Sequence, residues 1–308
     1  MTLCRPAVVC DPDRFAYSND GIDRSTSNRA PSGGGHHCDV LLCRDSDTET
    51  VIKLFHIRSR HLKRRIAKGD TALAARVRQS FKDEVDLAAG LRHPNIVDVL
   101  HRTEMPDGMP YFVMPYLPNS LAVKVWPLHM QFFVKTPVAD RQIEPVSPVE
   151  TVEMLKGLLS ALSVVHEAGI VHRDVKPNNI LMDAHGTPIL CDFEAALLAS
   201  GESVTWRKRF GAPPFVSPEQ LTDPGSVGYP ADVYSVGVIA YLMLTGRPPD
   251  ASRAPPDRYL PGLDQQLNDL VMNLIEPAAD RRLQDASVAL ALLNSCAGSL
   301  PASTSNLT

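Results

Sequence analysis

Apolar residues recur along this chain first with the two-residue period of strands and later with the wider period of helices. Residues 40–43 and 51–55, joined by a polar turn, read as a β-hairpin. Leu62, Ile66, Leu73, Val77, Phe81 and Val85 then recur at helical spacing, with the basic residues mainly on a solvated face. Residues 96–100 and 111–117, joined through Pro106-Asp107-Gly108, predict two more antiparallel strands. After an irregular stretch at 122–146, Ser147-Pro148-Val149-Glu150 reads as a helix start: capping serine, proline at the first helical position, glutamate at the third. Val152, Leu155, Leu159 and Leu162 give that helix its buried stripe, and Gly169 ends it. Residues 180–182 and 188–191, flanking Asp183-Ala184-His185-Gly186, predict a tight hairpin that brings Asn179 and Asp192 to one end. Helices follow at 231–245, 267–275 and 286–296. The proline-rich connection 247–262 is expected to hold one helical turn or none.

The pattern weakens at both ends. Residues 1–32 are polar and proline-containing and are expected to form a largely disordered leader; 296–308 are expected to be a disordered tail. With 308 residues and 44% hydrophobic content the chain can bury a large core. A net charge of −4 argues against general nucleic-acid binding. Six cysteines without C-x-x-C pairs fit reduced thiols, and Asp11 and Asp13 interrupt any apolar signal segment. The apolar run 236–244 is too short to cross a bilayer, so a cytoplasmic protein without a transmembrane segment is expected. Residues 56–78 carry eight Lys or Arg and one acid, Asp70: a solvated face, or a docking surface for an acidic partner.

The chemistry concentrates in His172-Arg173-Asp174-Val175-Lys176-Pro177-Asn178-Asn179-Ile180-Leu181, followed by Cys191-Asp192-Phe193-Glu194. For phosphoryl transfer from ATP each ingredient has a use. Asp174 would take or orient the proton of an attacking hydroxyl, and Lys176 is a fixed positive charge beside the phosphoryl group. Asn179 and Asp192 offer hard oxygen ligands for Mg2+.

These residues resemble the catalytic loop of the eukaryotic-like Ser/Thr protein kinase family, and the likeness extends over about residues 33–295. Its implied fold is α+β and bilobal: a small antiparallel-sheet N-lobe (about 33–116) with one main helix, and a larger, mostly helical C-lobe (about 117–295). Gly33 and Gly35 align with the family's phosphate loop. Lys53 resembles the lysine that holds the α- and β-phosphates, although a lysine in an apolar strand also reads as an edge charge facing water. Glu84, nine residues before His93-Pro94-Asn95-Ile96-Val97, resembles that lysine's partner. By the same resemblance Val40, Val51 and Leu181 would cover the adenine, Met114 is the gatekeeper, and Leu117 offers its N–H. Arg173 resembles the arginine that receives an activation-segment phosphate, with Ser200, Ser203 and Thr205 as acceptors in the 192–219 segment. Glu219 is expected to pair with Arg281, and Asp232 to hydrogen-bond the catalytic-loop backbone.

The chain departs from the family at Cys38, which replaces a phosphate-loop glycine, at Glu194 after Asp192-Phe193, and at Ala212, where a threonine is usual. The 247–262 connection is also shorter than the family's. Three readings follow: a Ser/Thr kinase using ATP and Mg2+ on a protein hydroxyl, which the retained Lys53, Glu84, Asp174, Lys176, Asn179 and Asp192 favour; a pseudokinase scaffold, which the departures favour; and a small-molecule kinase, which the Asp-Phe-Glu ending favours.

Overall fold

A computed structural model describes residues 38–44, 49–55, 60–104, 110–125, 144–198, 213–223 and 227–297. Expectations for 1–32, Gly33, Gly35, Ser200, Ser203, Thr205, Ala212 and the tail after 297 lie outside the described residues. The chain divides into two compact units, Met1–Val85 with Asp98–Tyr116, and Asp86–Val97 with Leu117–Thr308.

The first unit is a four-stranded antiparallel sheet with helices. Its elements are β1 (Cys38–Arg44), β2 (Glu49–Phe55), α1 (Arg60–Ala67), α2 (Thr71–Gly90), β3 (His101–Glu104) and β4 (Pro110–Pro115), and the strand order is β1-β2-β4-β3. Strand β2 is therefore an inner strand, not an edge. The helical periodicity after residue 60 is carried by two helices rather than one. Gly69 takes φ +92°, a left-handed conformation that closes α1, and Asp70 accepts the Leu73 N–H at 3.1 Å to open α2. Leu73, Val77, Phe81 and Val85 on α2 are buried, and Phe81 lies 5.5 Å from Phe55 and 5.9 Å from Phe112, ring centre to ring centre. Each such fully buried side chain contributes about 1.5–3 kcal/mol.

The expected strand at 96–100 is displaced. The pairing partner of β4 is His101–Glu104, every residue of which is exposed. The reason lies in the second unit, where the backbone of 95–97 is used differently: Val97 N–H donates to the Leu190 carbonyl and Leu190 N–H to that of Asn95. Ile96 thus forms a lone parallel bridge with Leu190.

The second unit holds β5 (Asn119–Ser120), α3 (Leu121–Val125), α4 (Pro148–Glu167), β6 (Ile170–Val171), β7 (Ile180–Met182), β8 (Pro188–Leu190) and β9 (Leu197–Leu198). Four helices follow: α5 (Pro218–Thr222), α6 (Pro230–Thr245), α7 (Gln265–Leu274) and α8 (Ala286–Ala297). Ser147 Oγ accepts from Glu150 N–H at 3.2 Å, as its sequence requires, and the Val152, Leu155, Leu159, Leu162 stripe is fully buried. Helix α4 packs on α6 and α8, and α6 on α7. Helix α6 is apolar on nearly all sides and is correspondingly buried almost throughout. It approaches α7 so closely that a Cβ on Gly237 would lie 2.6 Å from Leu274 Cβ. Between Gly246 and Asp264 the described chain holds one short 3-10 turn, Pro256–Arg258.

Candidate active site

The β7–β8 hairpin sets up the chemistry of the second unit. Ile180 faces Leu190, Leu181 faces Ile189, and Met182 faces Pro188 in antiparallel register. Asp183 Oδ1 accepts the N–H groups of His185 and Thr187, both at 2.8 Å, which closes the turn. One step past the paired residues, Cys191 N–H donates to the Asn179 carbonyl at 3.0 Å, so Asn179 and Asp192 leave the hairpin at the same end. Asp192 takes φ +69°, a left-handed conformation that strains a non-glycine residue and re-aims the chain after β8.

Asp174 is fixed through one of its two oxygens. Oδ2 accepts from Lys176 Nζ at 2.6 Å and from Asn179 Nδ2 at 3.0 Å, and Asn179 Nδ2 also reaches the Asp174 carbonyl at 2.9 Å. Burial pushes the Asp174 carboxyl above the ordinary aspartate range, and Lys176 only partly offsets it. The peptide before Asp174 is equally constrained. Arg173 has φ +63°; its N–H donates to Asp232 Oδ1 and that of His172 to Asp232 Oδ2, both at 2.8 Å. Asp232 therefore binds the loop backbone as the resemblance implied. His166, also buried, accepts the Ala286 N–H on Nδ1 at 3.2 Å, which leaves Nε2 to donate to Asp232 Oδ2 at 3.1 Å. Burial alone would raise the Asp232 carboxyl, but the hydrogen bonds from His166 and the loop outweigh it and hold it low.

Arg173 is 4% exposed, and its Nε donates to the Ala195 carbonyl at 2.6 Å. The expected Glu219–Arg281 pair is corrected to Glu219–Arg282. Arg282 donates to both Glu219 oxygens (2.7 and 3.1 Å) and to the carbonyls of Pro230, Glu276 and Pro277, which engages all five of its N–H groups. Arg281 is exposed. His93 and Asn95 anchor the hairpin to α4: Asn95 Nδ2 reaches the Pro188 carbonyl at 2.8 Å, and His93 Nε2 lies 3.0 Å from Ser160 Oγ. Gly157 permits this, since a Cβ there would lie 2.7 Å from Pro188 Cγ.

The first unit carries its own pair. Lys53 Nζ lies 2.5 Å from Glu84 Oε1, with both side chains almost wholly buried. In register, Lys53 stands opposite Val40 on β1 and Phe112 on β4, while Val51 stands opposite Met114. Directly paired residues share a sheet face, so Val51, Lys53, Phe112 and Met114 lie on one side. Leu117 and Leu181 belong to the second unit and are half-buried.

Asn179 and Asp192 are the residues here that could hold a divalent cation, through an amide oxygen and a carboxylate. Asn179 Nδ2 is committed to Asp174, which leaves Oδ1 as the atom that could face a cation. Among the described residues no group of three or more His, Cys, Asp or Glu could hold a metal by itself. Two protein oxygens without a complete cage suit Mg2+, which keeps its waters and takes the rest of its shell from phosphates.

The family model for the protein kinase domain matches residues 29–302. This chain belongs to the protein kinase domain family. It is similar to serine/threonine-protein kinase PknB of Mycobacterium tuberculosis, 31% identical over 227 residues covering 67% of this chain and 34% of the relative. CBL-interacting protein kinase 21 of Oryza sativa subsp. japonica is 29% identical over 219 residues, 70% of this chain and 37% of that one. A probable serine/threonine-protein kinase of Streptomyces coelicolor, SCO3848, is 28% identical over 293 residues, 87% and 41%. The chain thus spans 34 to 41% of the length of these relatives.

Two residues of this kinase domain escaped the motif reading. His166, near the end of α4, carried no local signal. Gln220 did: Ser217-Pro218-Glu219-Gln220 is a capping-box pattern, with glutamine at the third helical position, and both of its reciprocal bonds form. Nothing in that pattern announced the reach of the Gln220 amide nitrogen to the Arg173 carbonyl at 2.9 Å.

Among the described residues no helix is long and apolar enough to cross a membrane.

Proposed function

We propose that this chain transfers the γ-phosphate of Mg-ATP to a serine or threonine hydroxyl of a protein, with the kinase domain occupying residues 33–295 as a bilobal fold. The observation that carries this reading is the inequivalence of the Asp174 oxygens. Oδ2 is held by Lys176 and Asn179, so Oδ1 is the atom left to accept a hydroxyl proton. The burial that raises the carboxyl also makes it a stronger base than a solvated aspartate.

Lys53, oriented by Glu84, binds the α- and β-phosphates, and Val40, Val51, Met114, Leu117 and Leu181 form the adenine contacts. Gly33 and Gly35 approach the phosphates through backbone N–H groups. Asn179 and Asp192 bind Mg2+, which when bound neutralises charge on the phosphate oxygens. Lys176, paired with Asp174 while no phosphate is near, has the length to turn its ammonium toward the transferring group. The 247–262 connection, short for this family, leaves the substrate one helical turn to meet there.

Regulation through the 192–219 segment belongs to the same proposal, with one qualification from geometry. Arg173 already donates to Ala195 within that segment, so a phosphate on Ser200, Ser203 or Thr205 reinforces an existing contact rather than creating the first. Lys63, Arg64 and Lys68, exposed on or just after α1, support an acidic partner for the basic stretch. The domain acts in the cytoplasm.

The test is direct. Purified protein is incubated with γ-labelled ATP, magnesium and a generic protein substrate, and the products are mapped by mass spectrometry. Phosphoserine or phosphothreonine from the parent chain, absent with Asp174→Asn, is the expected outcome. Nucleotide binding without any transfer would favour a scaffold instead.

A further inference from the structure

We propose that Gln220 is a positioning residue for Asp174: its side chain ties the end of the 213–223 segment to the backbone of the catalytic loop and fixes the direction in which the Asp174 carboxylate points. The proposal rests on the kinase reading and adds to it a residue that no motif assigns.

Four observations carry it. Gln220 is 4% exposed, and its amide cannot be oriented the other way. Oε1 faces the Ser217 N–H and hydroxyl, at 3.2 and 3.1 Å, so Nε2 is the atom turned to the Arg173 carbonyl, at 2.9 Å. That carbonyl belongs to the peptide bond joining Arg173 to Asp174, so its orientation sets where the Asp174 side chain begins. Arg173 sits at φ +63°, a conformation a non-glycine residue keeps only where its surroundings over-determine it. The surroundings do so from two elements. Asp232 on α6 holds the N–H of Arg173 at 2.8 Å, and Gln220 on α5 holds its carbonyl.

The two clamps differ in what they connect. Asp232 lies within a helix buried on nearly all sides, and that helix meets the segment at a separate point, where Ser235 Oγ donates to the Phe215 carbonyl at 2.8 Å. Gln220 is two residues beyond Pro218, at the close of that segment, and shares its amide with Ser217. A displacement of 213–217 therefore moves the group that orients the Arg173–Asp174 peptide. Ordering of the end of the segment is thereby coupled to the geometry of the base through a buried amide, beside the Arg173–Ala195 contact at the segment's start.

Two variants test it. Gln220→Met keeps the length and removes the donor. Gln220→Glu keeps an oxygen for Ser217 and can donate to the Arg173 carbonyl only when its carboxyl is protonated. The expected result for Gln220→Met is a kcat about tenfold lower, the scale of one lost buried hydrogen bond, with KM for Mg-ATP within about twofold of the parent. For Gln220→Glu the deficit is largest at alkaline pH and narrows as pH falls, so its kcat–pH profile departs from the parent's in a way that a loss of packing does not produce.

Hydrogen exchange of peptides covering 172–176 is measured alongside. Faster exchange there in Gln220→Met, with α4 and α6 unchanged, is expected. It remains readable if the parent proves inactive, which separates failure of the kinase reading from failure of this one. Should both variants keep the parent's kcat and pH profile, or should 172–176 exchange as in the parent, the coupling is disproved. A Gln220→Met protein that exchanges faster everywhere points to a structural role only and overturns the proposal as well.

Discussion

Two lysine–carboxylate contacts of nearly equal length serve different regions of this chain. Lys53 and Glu84 lie 2.5 Å apart although 31 positions separate them in sequence, and both side chains are almost fully buried. Lys176 and Asp174 lie 2.6 Å apart within one loop, with a quarter of the lysine side chain and a seventh of the aspartate exposed. The first pair exists only if α2 packs on the inner strand β2, so it reports whether the first unit is correctly assembled. The second is local and survives any rearrangement that leaves the loop intact. Burial sets the energetic contrast: breaking a buried pair strands a charge, whereas a partly exposed partner can turn to water. Equal distances thus conceal a tertiary contact and a local one.

Four substitutions test that contrast, from the largest expected effect to the smallest. Asp174→Asn should lower phosphate transfer by ~10²–10⁴-fold in a labelled-ATP assay, because it removes the proposed base while leaving the fold intact. Lys53→Met should cost about 3–5 kcal/mol in a urea melt, since Glu84 stays buried without its ammonium. Adding Glu84→Leu to it should recover much of that stability and none of the activity. If Lys53→Met melted like the parent, the pair would not be a buried one in solution. Lys176→Ala should change stability by no more than about 1 kcal/mol, because its partner has Asn179 and water to turn to. Its effect should appear in kcat instead.

The last effect is a matter of sign. Asp174 has a folded carboxyl raised above its unfolded value, mainly by burial, so the folded state binds more protons across the window between the two. Stability contributed by that group therefore falls as pH rises from the ordinary aspartate range through the folded value, and the full penalty applies above it. Asp174→Asn should melt slightly higher than the parent at neutral pH and lose that advantage in acid. Glu219 behaves in the opposite sense. Burial alone would raise it, but the Arg282 hydrogen bonds outweigh burial and lower it. Its stabilisation is present above the unfolded glutamate value and is lost as pH falls through the folded one. Melting curves of Asp174→Asn and Glu219→Gln across pH 3–8 (about the carboxylate window) should both differ from the parent at the neutral end, the first higher and the second lower, and both should converge on it in acid.

The parts of the fold that sequence made legible are those whose signal is local. Ser147-Pro148-Val149-Glu150 opens α4 through contacts within four residues, and the polar turn from Asp183 closes the β7–β8 hairpin the same way. Other elements were misread because distant backbone decided them. Ile96 and Val97 have strand-like side chains, yet Leu190 takes their backbone, and the partner of β4 becomes the exposed His101–Glu104. Helical spacing from Leu62 to Val85 runs unbroken through Gly69, where the chain in fact turns. Adjacent arginines at 281 and 282 are indistinguishable as letters; only packing shows that Arg282 is the one with five acceptors around it.

By itself, the sequence determined the order of candidate catalytic residue types, the strand and helix periods, and the caps, because each is written within a few neighbouring positions. Tertiary structure alone decided that Lys53 stands on an inner strand and that Gln220 takes the Arg173 carbonyl, while the Lys53–Glu84 and Asp232–loop contacts were implied only by the family resemblance. Those contacts join residues tens of positions apart. Their directions follow from how helices pack and where a single amide points, which no local spacing encodes.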